Sequence, residues 1–525
     1  MNLKINPSYI YIVIFASFFF FWGINLLDFY NYYLILQQGD IGYFDLPDQY
    51  VEIGSNQTYQ ILSRIRLSYF ILLLLIPIFY NFLRKKNSFL RAIFNDQKYI
   101  IFFILFIIAH FVLVKIYYHE IFAKSEIANL IYLLLLSIIY CHYRNIIIIN
   151  FEKIITLYLI IFIAYSMIEG SQIYNFGFIG NNPWDGEIYF KNEGQCNSDL
   201  FLIDMLRKYL NISLSNSIYI ENSHLAMMSI AVFFSCIYIL VQAKKINILF
   251  LLLFLIEILI VLNNLSTTYF VCYFISQIFL LFFFFKKINI KFWIFTILLL
   301  SINSYLFFSD KNCTVKVTDF KIKDVLDEKL EKHDNINLTT LVYKRSAILA
   351  LNTLKDHSLG WGIDGMDDAT QNLMDSYDTR SCVGSKSLAN HYMSLEEQIA
   401  GVDEETKKTM KCFGNSLTIS EYLENPTRKA EWRLVKLNTK DGLSSLFKMF
   451  TEFGIFTFII FFFFIKYILN IKNISSYHIF IIILFVTMCI RGVGYFNGGF
   501  IFCLLEFFYY KKFSNEFRLK KNYHN

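Results

Sequence analysis

Two arginines, a Glu–Asn–Ser–His run and a few isolated carboxylates stand out because the sequence around them is so apolar. Arg345 offers a planar, permanently charged fork suited to phosphate oxygens. Just above a membrane such a group can hold a lipid pyrophosphate and stabilise it as it leaves; the structural alternative is a loop salt bridge or a lipid headgroup contact. Arg491 lies late in an apolar run, in Cys489-Ile490-Arg491-Gly492-Val493-Gly494. An arginine beside hydrocarbon faces a partner or a water-filled cavity, or else snorkels to the interface. Glu221 and His224, in Glu221-Asn222-Ser223-His224, are general-base candidates for an acceptor hydroxyl. Helix capping is the competing reading, and it accounts for Asn222 and Ser223 better than for His224.

Glu452 follows Lys448 by one helical turn, so the two either neutralise each other or leave Glu452 to line a cavity. Glu257 is a lone carboxylate inside an apolar run, a position that would suit proton coupling in a transporter. His333, His357 and His391 have no partner spacing and read as surface residues, with His391 the one worth keeping because it follows the Arg345 helix in the same polar segment. No cysteine or histidine spacing fits a zinc motif, and no Gly-rich phosphate loop ending in Gly-Lys-Ser/Thr occurs, so neither a metal nor a nucleotide cofactor is expected.

These residues have to be positioned by membrane helices. Hydrophobic residues make up 56% of the chain and charged ones 17%, with 58 Phe and 36 Tyr, which excludes a soluble globular domain of this length. Apolar runs at 8–27, 67–83, 99–117, 127–143, 150–168, 223–241, 246–264, 267–285, 289–308, 444–465, 477–493 and 498–510 are candidates to cross about 30 Å of hydrocarbon. The expected fold is all-α and polytopic: a membrane bundle over 1–308, a large helical external loop over 309–443, and membrane helices with a short tail over 444–525. Lys and Arg in the connections after the second, sixth, eighth and tenth runs, and after the last, fall on one side if both termini are cytoplasmic. The long loop is thus expected on the external side of the membrane. The net charge of +6 reflects that orientation and implies no nucleic-acid partner. The first run lacks a small-residue cleavage pattern and reads as a retained helix. Cys196, Cys313, Cys382 and Cys412 are external, and their pairing is open.

Within the loop the periodicity is helical. Leu341, Ile348, Leu351 and Leu354 recur largely at three- or four-residue steps, predicting a helix over 339–355 with Arg345 near its apolar face. Gly360 and Gly362 terminate it. Charged or amphipathic stretches at 319–334, 391–399 and 429–437 read as further helices. The loop as a whole reads as a cover over a site that membrane helices complete.

Three segments carry a resemblance. Tyr343-Lys344-Arg345-Ser346 leading into Leu359-Gly360-Trp361-Gly362, Ser444-Ser445-Leu446 through Thr451-Glu452-Phe453-Gly454-Ile455, and Glu221-Asn222-Ser223-His224-Leu225-Ala226 occur in the order and topology of the O-antigen polymerase and O-antigen ligase superfamily. The chain resembles that superfamily over its whole topology. The resemblance implies transfer of a glycan from an undecaprenyl-pyrophosphate carrier without metal or nucleotide sugar. It gives Arg345 the pyrophosphate role, with Arg491 or Arg207 as partners, and gives Glu221 or His224 the base role, with His391 in reserve. Gly360, Gly362 and Glu452 would shape the substrate site. A chain-length regulator is a possible protein partner beside the bilayer. His391 is followed by Tyr392 and lies well downstream of Gly362, which departs from the ligase pattern and favours the polymerase branch.

Two other classes compete. A lipid-oligosaccharide flippase or other secondary transporter would place its cargo site near mid-membrane and make Glu257 and His110 the key residues. A carrier-lipid glycosyltransferase of another family would use acidic residues in the first external segment, and Asp45-Leu46-Pro47-Asp48 fits that poorly.

Overall fold

A backbone in hydrocarbon must satisfy its own hydrogen bonds, so apolar runs of this length fold as helices. The computed structural model describes residues 74–76, 78–79, 98–118, 124–176, 222–262, 267–309, 338–363, 365–366, 368–369, 444–492 and 499–509. Among them 87% are helical and none is in a strand. The helices are α1 (Lys98–Tyr118), α2 (Lys124–Ile149), α3 (Phe151–Phe176), α4 (Asn222–Gln242), α5 (Ile248–Leu262), α6 (Thr267–Phe284) and α7 (Ile290–Ser309). After them come α8 (Leu338–Asp356), α9 (Ser445–Phe453), α10 (Thr457–Asn470), α11 (Ser476–Ile490) and α12 (Phe500–Phe508).

Four helical segments, Tyr99–Tyr118, Glu126–Ile149, His224–Gln242 and Ser445–Asn470, are long and apolar enough to cross a bilayer, and shorter apolar helices pack among them. The outward faces are apolar too: α7 exposes Ile290, Ile294, Phe295, Leu298 and Ile302, a surface suited to lipid and not to water. The protein is a helical membrane protein. The expected runs at 8–27 and most of 67–83 lie outside the described residues. Where sequence reading separates 127–143 from 150–168, α2 and α3 instead extend to meet at Asn150. The Asn150 amide donates to the Ile146 carbonyl at 3.0 Å, which occupies an acceptor at the end of α2.

The centre is the antiparallel pair α4–α11. Thr487 Oγ1 donates to the Met227 carbonyl at 3.4 Å, and Ser235 Oγ donates to Ser476 O at 3.2 Å, which sets their register. Residues 477–488 of α11 are all buried, so this helix is enclosed by protein on every side. A capping box starts it: Ser475 Oγ accepts the His478 N–H, and the His478 ring accepts the Ser475 N–H. Phenylalanines join the last helices, with Phe464 and Phe507 at 4.8 Å, Phe463 and Phe508 at 4.3 Å, and Phe103 and Phe508 at 4.4 Å between ring centroids.

Where α11 begins and α12 ends, the core is charged. Arg144 Nε and Nη2 each donate to Glu506 at 2.7 Å, one to each carboxylate oxygen. Tyr140 and Tyr477 also donate to that carboxylate, and the Arg144 guanidinium lies 3.7 Å from the Tyr509 ring centroid. This network ties α2, α11 and α12 together.

Candidate functional site

The opposite end of α11 is where the polar loop meets the membrane helices. Sequence reading treats 444–465 as one span. Ser445–Asn470 is long and apolar enough for one span, and its hydrogen-bond ladder is interrupted inside it: α9 stops at Phe453, Gly454–Phe456 forms a 3₁₀ turn, and α10 begins at Thr457. An unbroken helix would use the Thr451 and Glu452 carbonyls to accept from Ile455 and Phe456. Here the loop supplies those donors. Trp361 N–H donates to Thr451 O at 3.0 Å, Gly362 N–H donates to Glu452 O at 2.8 Å, and the displaced Ile455 N–H donates to Ser358 O at 2.9 Å. The Gly360-Trp361-Gly362 turn and the Glu452-Phe453-Gly454 break therefore satisfy one another.

Glycine is required on both sides of this exchange. Gly360 has φ +82° and a Cβ there would run into the Glu452 carbonyl, while Gly454 has φ +53° and would drive a Cβ into the Ser358 carbonyl. His110 on α1 fastens the turn from a third direction: its Nε2 lies 2.7 Å from the Leu359 carbonyl, and its ring packs 5.2 Å from Phe453 and 5.3 Å from Phe456. His357, read from sequence as a surface residue, instead packs its ring 4.2 Å from Trp361 and 5.1 Å from Tyr118. It is half-buried because the turn folds the Trp361 indole back onto it.

The helix before the turn, α8, spans Leu338–Asp356 where 339–355 was expected. Arg345 lies on it one turn ahead of Leu349, which is buried. Tyr343 joins α8 to α11: its hydroxyl donates to the Ile490 carbonyl at 2.8 Å, beside the Arg491 guanidinium. Burial pushes the Tyr343 phenol up to about 12, with the Arg491 charge acting in the opposite sense, so at neutral pH the phenol keeps its proton and can donate. Arg491 was expected inside a span. The helix ends one residue before it, and Arg491 is the half-buried C-cap, with its N–H on the Thr487 carbonyl at 2.9 Å. The last turn of α11 is further held by Ser444, whose hydroxyl donates to Cys489 O at 2.5 Å while its oxygen caps α9 at Phe447 N–H.

Glu452 and Lys448 are both buried, and the lysine Nζ lies 3.7 Å from Glu452 Oε1. The pair read from the sequence is present, in the interior and next to the break. His224 is buried in the first turn of α4. Because Met227 faces Thr487, His224 stands about one turn further toward the Arg491 end of α11. Glu452, Gly360, Gly362, the Arg345 helix, Arg491 and His224 thus belong to one end of the bundle. Glu221, Arg207 and His391 lie outside the described residues, as do Cys196, Cys313, Cys382 and Cys412. Among the described residues no three His, Cys, Asp or Glu side chains converge as metal ligands.

Tyr343 carries no local signal of its role, and His110, a cargo-site residue in the transporter alternative, serves the loop junction instead. Tyr343 sits inside the quoted Tyr-Lys-Arg-Ser run, but nothing local identifies an acceptor 147 residues away. The arrangement offers cationic and hydrogen-bonding groups at the rim of an apolar bundle, a setting suited to an anionic headgroup on a lipid tail. Comparison with protein-family models, with curated proteins and with solved structures finds no match.

Proposed function

We propose that this protein polymerises oligosaccharide repeat units carried on undecaprenyl pyrophosphate, at the external face of a bacterial inner membrane. The observation that supports this reading most directly is the junction itself. A loop helix bearing Arg345 is joined through Tyr343 to the helix end bearing Arg491, and through the Gly-Trp-Gly turn to Glu452. In this reading the two arginines hold the pyrophosphate of the donor lipid and stabilise it as leaving group. His224 or Glu221 takes the proton of the acceptor hydroxyl, and no metal or nucleotide is needed. Arg207 and His391 are further candidates for contact with the glycan. About twelve spans with both termini cytoplasmic put this end of the bundle on the periplasmic side.

The flippase alternative drew on His110 and Glu257. His110 is engaged with the Leu359 carbonyl and so serves the loop junction, which leaves that alternative resting on Glu257. The test is Arg345→Ala in cells, read by profiling lipid-linked oligosaccharides and surface polymer. Loss of long-chain glycan, with single repeat units accumulating on their carrier, is expected. Unchanged polymer length sinks the polymerase reading.

A further inference from the structure

Glu257 is fully buried in the second half of α5, a helix otherwise built of Ile, Leu, Phe and Val. The titratable groups that face it come from three helices: Tyr158 on α3, Cys236 on α4 and Tyr269 on α6. Ring packing supports that placement, since Phe233 of α4 contacts both Phe254, one turn before Glu257, and Tyr269. A fourth helix joins through Asn303 of α7, whose amide donates to the Tyr269 hydroxyl at 3.4 Å. Tyr158 stands beside the carboxyl group, yet neither Glu257 oxygen completes a hydrogen bond of ordinary geometry with any described residue, and no basic side chain pairs with it among them. The same group of helices carries other buried polar atoms without partners among the described residues: Asn303 Oδ1, both amide atoms of Gln277, and the Ser229 and Ser276 hydroxyls.

An isolated carboxylate in a low-dielectric interior has to be neutralised, by a proton or by a bound cation. The Tyr158 and Tyr269 phenol oxygens that face Glu257, with the Asn303 amide bonded to Tyr269, suit either occupant, because both need oxygen ligands or acceptors and neither needs a basic side chain. We infer that Glu257, with Tyr158, Tyr269 and Asn303, forms a binding site for a proton or a small monovalent cation inside the membrane bundle. This site lies apart from the loop junction and does not depend on the glycan reading. Exchange of its occupant with one side of the membrane would couple α3–α7 to an ion gradient.

Infrared spectroscopy of the full chain in lipid nanodiscs tests this, by comparing wild type with Glu257→Gln across pH and with sodium replaced by choline at constant ionic strength. A protonated-acid carbonyl band in wild type, absent in Glu257→Gln, identifies a proton. That band should decline on raising pH, with the acid-to-carboxylate ratio falling roughly tenfold per pH unit above its midpoint. Carboxylate bands assigned to Glu257 that shift when sodium replaces choline identify the metal cation. Carboxylate bands from Glu257 that respond to neither pH nor sodium overturn the proposal. If Glu257→Gln does not fold, Glu257→Asp supplies the assignment by shifting the same bands. Since no glycan is measured, the outcome is independent of the Arg345→Ala result.

Discussion

Two carboxyl groups, Glu506 and Glu257, are both fully buried in this bundle, and their surroundings are opposite. Glu506 is gripped by Arg144 through both oxygens and by Tyr140 and Tyr477, so its charge is compensated and its hydrogen-bonding capacity is used. Glu257 has the Tyr158 and Tyr269 phenols nearby but no basic partner among the described residues. A saturated network fixes how helices meet, whereas an unsaturated group leaves room for an exchangeable ligand. Burial alone therefore does not separate a structural carboxylate from a binding one; the inventory of its partners does. Glu452 is the intermediate case, with Lys448 at 3.7 Å and its backbone carbonyl taken by Gly362.

The largest effect is expected at the saturated end. Arg144→Ala strands the Glu506 charge in the core and should cost about 3–5 kcal/mol, read by thermal unfolding in detergent. Adding Glu506→Gln to that variant should recover part of the loss; no recovery would mean that packing and not the stranded charge explains it. At the loop junction, Gly360→Ala forces a side chain into both a left-handed backbone and the Glu452 carbonyl. A loss of roughly 2–3 kcal/mol is expected, with new protease cleavage near 357–362. A Gly360→Ala variant as resistant as wild type would mean that the backbone exchange is dispensable. Tyr343→Phe removes one hydrogen bond to Ile490 and should cost about 1 kcal/mol by the same unfolding assay. The smallest change is expected for Glu257→Gln, within about 1 kcal/mol, since no ion pair is broken. A Glu257→Gln penalty equal to that of Arg144→Ala would erase the contrast between the two carboxyl groups.

Much of the scaffold was legible from local pattern. The apolar runs 99–117, 223–241 and 289–308 became α1, α4 and α7 with ends shifted by a residue or so, and the loop helix expected at 339–355 is α8. Hydropathy and helical period act over a few residues, so neighbours in sequence are enough to read them. The break at Gly454 was not legible, because Ile455 and the phenylalanines after it continue the apolar run without interruption. Arg491 was placed inside a span for the same reason: hydropathy registers the length of a run, not the residue at which its hydrogen-bond ladder stops.

The sequence by itself determined that this chain folds as membrane helices, where most of the described ones begin and end, and which polar residues are out of place in them. It also singled out the Arg345 helix and the Gly360–Gly362 turn. Tertiary structure alone decided whose partner each polar group became. His110 and Leu359 lie 249 positions apart, and Arg144 and Glu506 lie 362 apart. The cost of burying a charge or an unpaired carbonyl is a local property that any residue type announces. Its remedy is whichever group the packing of distant helices brings within about 3 Å, and no short stretch of chain contains that information.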